Sequence, residues 1–253
     1  MNTASSGPSV LPFGALPTGA ATMSPGMRGA VRYARYLYDC VKSHLSAPIL
    51  EIGSGFGTYT EMLLRHGPVI GVDIDENCLA DLADRLDGQP LQTLQLDLND
   101  LAAVRATRRF GFRSAFSTNV FEHIENDEGA FAALGEAMTP GGHLCTIVPA
   151  HPRLYGYMDS QAGHFRRYTR SSLTAVLGRA GWHVTRTFYV NALGALGWWV
   201  NQKLLKPKPL DAPRINNQLV FYDRFVVPLA RLTDVLFRPF FGLSVVAIAR
   251  RPL

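Results

Sequence analysis

The chain has 253 residues, 47% of them hydrophobic and 18% charged, enough to bury one substantial core and too apolar for a disordered chain. Cys40, Cys78 and Cys145 stand alone without a C-x-x-C spacing. They suggest neither a disulfide framework nor a zinc site and fit a reducing, cytoplasmic setting. The formal charge of +5 is mild; it gathers at Arg105, Arg108, Arg109 and Arg113 and again at Arg166, Arg167 and Arg170.

Residues 1–25 carry no charge and are rich in Gly, Pro, Ser, Ala and Thr, so a flexible N-terminal segment is expected there. They lack the basic start and continuous apolar run of a signal peptide. From Gly26 to Leu45 the pattern predicts a helix with Val31, Tyr38, Val41 and Leu45 on one face and Tyr33 and Tyr36 on its flank.

The stretch Ile49 to Thr60, ILEIGSGFGTYT, then reads as a buried strand, a glycine turn and the start of a helix. A dinucleotide fingerprint needs its third glycine at position 58, but here it falls on Gly57. The result, Glu51-x-Gly53-Ser54-Gly55-x-Gly57, favours S-adenosylmethionine over a pyrophosphate. It resembles motif I of the class I S-adenosylmethionine-dependent methyltransferases. In that family the helix before motif I often lids the cofactor, which makes Tyr33 a candidate for the methionine end; a packing tyrosine is the other reading.

After a short helix from Thr58 to His66, Val69 to Asp73 returns as a second buried strand. An acid at its carboxyl end, Asp73, is placed to take both ribose hydroxyls of a nucleoside in the first crevice. Ile74 packs on the adenine in this reading, and Asp75 caps a helix over Glu76–Leu86. Leu91 to Leu96 is a third strand ending at Asp97. By resemblance Asp97 accepts from the adenine amino group, with the Leu98 backbone beside it; a turn aspartate is the alternative. Ser114 to Val120 is the fourth strand, and Asn119-Val120-Phe121-Glu122-His123-Ile124 resembles the Glu-His segment of many small-molecule methyltransferases. Asn119 then borders the cofactor, and the following helix runs to Met138. His123 is a candidate general base, or a residue that caps the helix or orients the acceptor.

Thr139-Pro140-Gly141-Gly142 leads into a fifth strand, His143 to Val148. The segment after it bears His151, Tyr155, Tyr157, His164, Arg166, Arg167 and Tyr168 at a strand end expected to face the acceptor, where loops carry specificity. His164 is a second candidate base, and the arginines either hold an anionic group or tie the loop down. Thr169 caps a helix that Gly181 stops, His183 to Tyr189 is a sixth strand and Ser244 to Arg250 the last. About fifty residues between those two strands include Trp198, Trp199, the run Lys203 to Pro209 and an amphipathic stretch Phe221 to Phe237. A helical cap over the acceptor pocket is expected, with an interfacial or dimer surface as the alternative. No stretch is long and uninterrupted enough to span a membrane.

The fold class expected is therefore α/β: a Rossmann-like, doubly wound sheet of seven strands, mostly parallel with the last antiparallel, with a helical cap insertion at about 192–242. Residues 26–253 would form one methyltransferase domain. The function implied is S-adenosylmethionine-dependent methyl transfer to O or N of a small molecule, a natural product or a peptide end, by direct in-line transfer. An RNA or protein methyltransferase and a non-catalytic cofactor-binding scaffold are the rivals. The absence of an Asn-Pro-Pro-Tyr or Asp-Pro-Pro-Tyr motif after the fourth strand argues against nucleic-acid bases as acceptors. No metal is expected, since Asp and His at ligand spacing are absent. A monomer or homodimer, with peripheral membrane contact as an option, completes the expectation.

Overall fold

The computed structural model describes residues 29–203 and 219–253. The 1–25 segment, and the Lys203 to Pro209 run beyond its first residue, lie outside the described residues.

Seven strands form one sheet in the order β3-β2-β1-β4-β5-β7-β6. They are β1 Ile49–Ile52, β2 Val69–Asp73, β3 Leu91–Gln95, β4 Ser114–Thr118, β5 His143–Pro149, β6 His183–Val190 and β7 Ser244–Arg250. The first five run parallel and the last, β7, is antiparallel, as expected; it inserts between β5 and β6. Central parallel strands are covered on both faces, so they read as unbroken apolar runs rather than as an alternation. All four residues of β1 are buried, whereas the edge strand β3 is only partly so.

Alternate residues of one strand serve opposite layers. Leu50 and Ile52 join a core with Phe131, Leu134, Leu173 and Leu177. Those partners belong to α5, Asp127–Ala137, and α7, Arg170–Arg179. Ile49 faces the other layer, with Leu37, Val41, Phe116 and Val246. That layer is covered by α1, Val31–Asp39, which is shorter than the expected Gly26–Leu45 helix and is followed by a 3-10 turn at Lys42–His44. Its buried side is Ala34, Tyr36, Leu37 and Tyr38, while Val31 is exposed, so Tyr36 replaces Val31 in the packing face.

The remaining helices of the first half are α2 Thr60–Leu63, α3 Glu76–Arg85 and α4 Leu101–Ala106. Asp75 caps α3 as expected, accepting from the amides of Asn77 and Cys78 at 3.0 and 3.4 Å. The segment expected to lead into a helix forms a 3-10 turn, Phe121–His123, and the helix itself, α5, starts at Asp127, where Asn126 accepts from the Gly129 amide. That break matters for the site, because it leaves Glu122 and His123 on a tight turn at the end of β4.

Between β6 and β7 the described residues form α8, Ala192–Lys203, a π turn at Tyr222–Val226 and α9, Val227–Phe237. They pack on α1 and β6. Asp223 accepts from the Arg32 and Tyr33 amides at 3.3 and 2.7 Å, which caps α1 from 190 residues away. Asp234, fully buried, accepts from the Tyr36 hydroxyl and from the amides of Asn191 and Ala192. The insertion is thus held by buried carboxylates to the helix before β1.

Candidate functional site

Chain order places β2 and β3 on one side of β1 and β4 on the other, which opens a crevice at the carboxyl ends of β1 and β4. A cavity of about 410 Å³ lies there. Of the residues expected around a cofactor, Tyr33, Gly53, Ser54, Gly55, Asp73, Ile74, Asp97, Leu98 and Asn119 all line it.

The glycine turn is built for close approach. Gly53, Gly55 and Gly57 all have positive φ, which side chains with a Cβ adopt only under strain. Gly55 donates its amide to Asp73 Oδ2 at 2.8 Å, and the Asp75 amide donates to Oδ1 at 3.0 Å, so two backbone groups orient the Asp73 carboxylate at the mouth. Asp97 is exposed and accepts from the Asn99 amide and side chain at 2.9 and 2.8 Å; it is a turn aspartate and also a wall residue. Asn119 has φ of 53°, at the sharp turn leaving β4.

Glu51 and Gly57 stand behind the wall. A Cβ on Gly57 would meet Leu82 at 2.4 Å, so this glycine serves the packing of α3 against the turn. Glu51 is fully buried, accepts from Thr60 Oγ1 at 2.6 Å and leaves Oε1 without a partner. Burial pushes its carboxyl up to about 8.

The far rim brings together residues that are distant in sequence. His123 is on the cavity wall, and His164 stands behind Gly163 and Phe165, which are. The two imidazoles meet edge to face at 4.6 Å. His164 Nδ1 is 2.9 Å from Asp159 Oδ1, and its Nε2 is 3.9 Å from Glu122 Oε1. Burial, reinforced by His164, lowers His123 to about 4, so its ring is neutral near pH 7; a hydrogen bond with the Gly163 backbone opposes that shift. A bond that favours the charged ring runs from a ring N–H to the carbonyl. Burial raises Glu122 to about 7. Burial also works to raise Asp159, but His164, Arg167 and the Gly156 amide outweigh it and hold the carboxyl below its usual range. One carboxylate oxygen of Glu122 and one nitrogen from each histidine lie within 4.8 Å of one another. Sequence spacing did not reveal this group, because His164 joins it only through the fold.

None of the residues expected to hold the acceptor lines the cavity. His151 stacks between Tyr189 and Phe241, at 4.6 and 4.9 Å. Arg166 pairs with Asp127 at 2.7 Å and donates to the Glu125 carbonyl. Arg167 is buried against Asp159 at 2.7 Å, the Ala150 carbonyl and the Trp198 ring. Tyr168 donates to Asp127 at 2.7 Å. Tyr155 donates to the His164 carbonyl at 2.6 Å, and Tyr157 is exposed. The polar ends of Arg166, Arg167 and Tyr168 are therefore spent on the protein itself. Among the described residues the insertion contributes none to the wall. Sequence reasoning missed Phe56, Tyr59, Val120 and Phe165 on the wall, and Asp159 behind it. The Asp159-x4-His164 spacing across α6, Tyr157–Gln161, was the available signal.

Comparison with known proteins agrees with this geometry. The methyltransferase-domain family matches residues 50–144. The uncharacterized methyltransferase Rv0089 of Mycobacterium tuberculosis is 32% identical over 107 residues, 42% of this chain and 52% of that protein, so the chain spans about half the length of this relative. The N-methyltransferase NodS of Bradyrhizobium japonicum, solved with S-adenosylhomocysteine, superposes with a TM-score of 0.52 at 13% identity, covering 91% of this chain and 89% of its own. The [4+2]-cyclase SpnF superposes at 0.57 with 13% identity, covering 88% and 86%. Such likenesses show the fold, and a fold hosts more than one chemistry.

Proposed function

We propose that this chain, whose residues 50–144 match the methyltransferase-domain family, is a class I S-adenosylmethionine-dependent methyltransferase that transfers a methyl group to O or N of a small molecule or peptide end. The cofactor is S-adenosylmethionine, and the residues present suit it. Ile74 and Leu98 offer an apolar slot for a heteroaromatic base, Asp73 stands ready for vicinal hydroxyls, and the glycine backbone leaves room that a Cβ on Gly53 would fill against Val120 at 2.4 Å. Bound there, the cofactor supplies an activated methyl group, and the protein's task is to align an acceptor and exclude water. The observation that carries the reading is the convergence of Asp73, Asp97 and Asn119, from three strand ends, on the cavity that also holds His123.

His123 on the wall and His164 behind it are proposed as the groups that ease removal of the acceptor's proton. Isothermal calorimetry with S-adenosylhomocysteine tests the cofactor site, and mass analysis of a cell extract incubated with deuteromethyl cofactor tests transfer. No binding would end the reading. Binding without label in any compound would favour the scaffold reading, and label confined to RNA or protein would shift the acceptor class.

A specific observation also favours a membrane surface as partner. On α9 and just after it, Leu232, Val235, Leu236 and Phe240 are each more than 70% exposed. In the same region the acids Asp223 and Asp234 are buried and Arg224 reaches the surface, while Arg231 is paired with Asp39, a combination that leaves a positive charge beside the apolar face and suits an anionic lipid interface. No helix among the described residues is long and apolar enough to cross a membrane.

A further inference from the structure

We propose that Glu122, His123 and His164 bind one divalent transition-metal ion whose open face is turned to the cavity. The three supply one carboxylate oxygen and two imidazole nitrogens within 4.8 Å of one another. A four-coordinate ion with bonds of about 2.0–2.1 Å sets its ligand atoms about 3.4 Å apart, so side-chain adjustments on the order of 1 Å close the set.

Glu122 supplies the strongest argument. It is fully buried, and neither carboxylate oxygen has a hydrogen-bond partner. A buried carboxylate left without a partner is costly enough that folded proteins rarely keep one: it stays protonated or takes a cation, and the two imidazoles beside it supply the rest of a cation's shell. Pairing with His164 does not answer the need, since 3.9 Å is beyond hydrogen-bond reach.

The histidines argue the same way. Each has one ring nitrogen held by an acceptor behind it: His164 Nδ1 by Asp159, and His123 by the Gly163 carbonyl. That leaves the other nitrogen of each ring free; His164 Nε2 is 3.9 Å from Glu122 Oε1, and a nitrogen of His123 lies within 4.8 Å of both. Metal-ligating histidines are oriented in this manner, with the second nitrogen donating to a carboxylate or carbonyl. The support is itself fixed, because Asp159 also takes Arg167 Nε at 2.7 Å and the Gly156 amide at 2.9 Å. The Phe165 amide donates to the Glu122 carbonyl at 2.8 Å, which binds the two halves of the site together.

The donor set selects the ion. Two imidazoles and one carboxylate suit zinc, iron(II), cobalt(II) or manganese(II) better than calcium or magnesium, which prefer all-oxygen shells. Three protein ligands leave a position free, and His123 and Gly163 put it on the cavity side. There the ion would take an acceptor oxygen and make its proton easier to lose; this use rests on the methyl-transfer reading, whereas the metal site does not.

Cobalt(II) titration of the untagged, chelator-treated full chain tests the site. One ion per chain, with the visible d–d bands of a nitrogen and oxygen shell, is expected. Glu122→Gln and His123→Ala should each weaken binding by at least about 10-fold, and Asp159→Asn by about 10- to 100-fold. Thermal melting and circular dichroism report which variants are folded; should Glu122→Gln fail to fold, His123→Ala carries the comparison. A wild-type chain that binds S-adenosylhomocysteine but takes up no cobalt overturns the proposal and leaves the methyl-transfer reading standing. Equal cobalt affinity in wild type and a folded Glu122→Gln or His123→Ala overturns it too. Cobalt uptake without S-adenosylhomocysteine binding keeps the metal site and removes the methyl-transfer reading.

Discussion

Gly53 and Gly88 share a left-handed backbone, with φ of 71° and 76°, but only at Gly53 does a Cβ meet anything, Val120 Cγ2 at 2.4 Å. Alanine at either position costs backbone strain of about 1–3 kcal/mol. Only Gly53→Ala should also push on the cavity wall, lowering S-adenosylhomocysteine affinity by about 10-fold or more while Gly88→Ala leaves it unchanged by calorimetry. Glu51 gives a second test at this scale. Its carboxyl ionises near pH 4.3 in an unfolded chain, as an order-of-magnitude reference, and near 8 when folded. Between those values the unfolded state has released a proton that the folded state retains. The stabilising contribution is therefore complete below about pH 4 and is lost as pH rises through about 8, by up to about 1.4 kcal/mol per unit. Urea unfolding of the cofactor-free protein should show that decline between pH 5 and 8, and Glu51→Gln should lessen it, leaving the part that buried Glu122 contributes. Residue by residue, the sequence displayed the acids and glycines of the cofactor side because each closes a strand or opens a turn. It hid Asp159 because its role depends on a contact with His164 that only the folded loop creates.

Elements capped by local residues were legible, and those capped from afar were not. Asp75 announces α3 and Thr169 announces α7, where Thr169 and Ser172 exchange reciprocal bonds at 3.0 and 2.9 Å. By contrast α1 has no cap from its own N-cap residue, Ala30, and is capped by Asp223, so no local signal marked its true start. The same contact anchors the insertion. Its buried carboxylates are drawn to the amides of α1 and to Asn191 and Ala192, on the opposite side of the sheet from α5 and α7. Asp223→Ala should therefore lower stability by about 1 kcal/mol, the ordinary worth of an N-cap. It should also weaken cofactor binding several-fold, because Tyr33, whose amide Asp223 holds, is on the cavity wall. A variant that loses stability but keeps its affinity would show that α1 does not position the wall.

For the whole molecule, the presence and burial of the central strands follow from short apolar segments, each long enough to cross one sheet and too short to be a helix. What remained hidden is which outer surface stays bare. Core formation consumes Val227 and Ala230 from α9, but the same helix leaves Leu232, Val235 and Leu236 at 72%, 75% and 73% exposure. Apolar surface of that extent on one helix is uncommon unless something covers it. Arg224 beside it and buried acids beneath it match an anionic bilayer better than a second copy of the same face, which would bring Arg224 against its own like. The full chain should then co-float with vesicles containing phosphatidylglycerol and much less with neutral ones. Replacing Val235 and Leu236 together by glutamate removes two apolar side chains, each worth about 1.5–3 kcal/mol when fully buried, and should reduce flotation at least 10-fold. Because neither residue borders the cavity, S-adenosylhomocysteine affinity should not change. Flotation that survives the double substitution, or a wild-type chain that ignores anionic vesicles and sediments as a dimer that the substitution splits, would assign the face to protein rather than lipid.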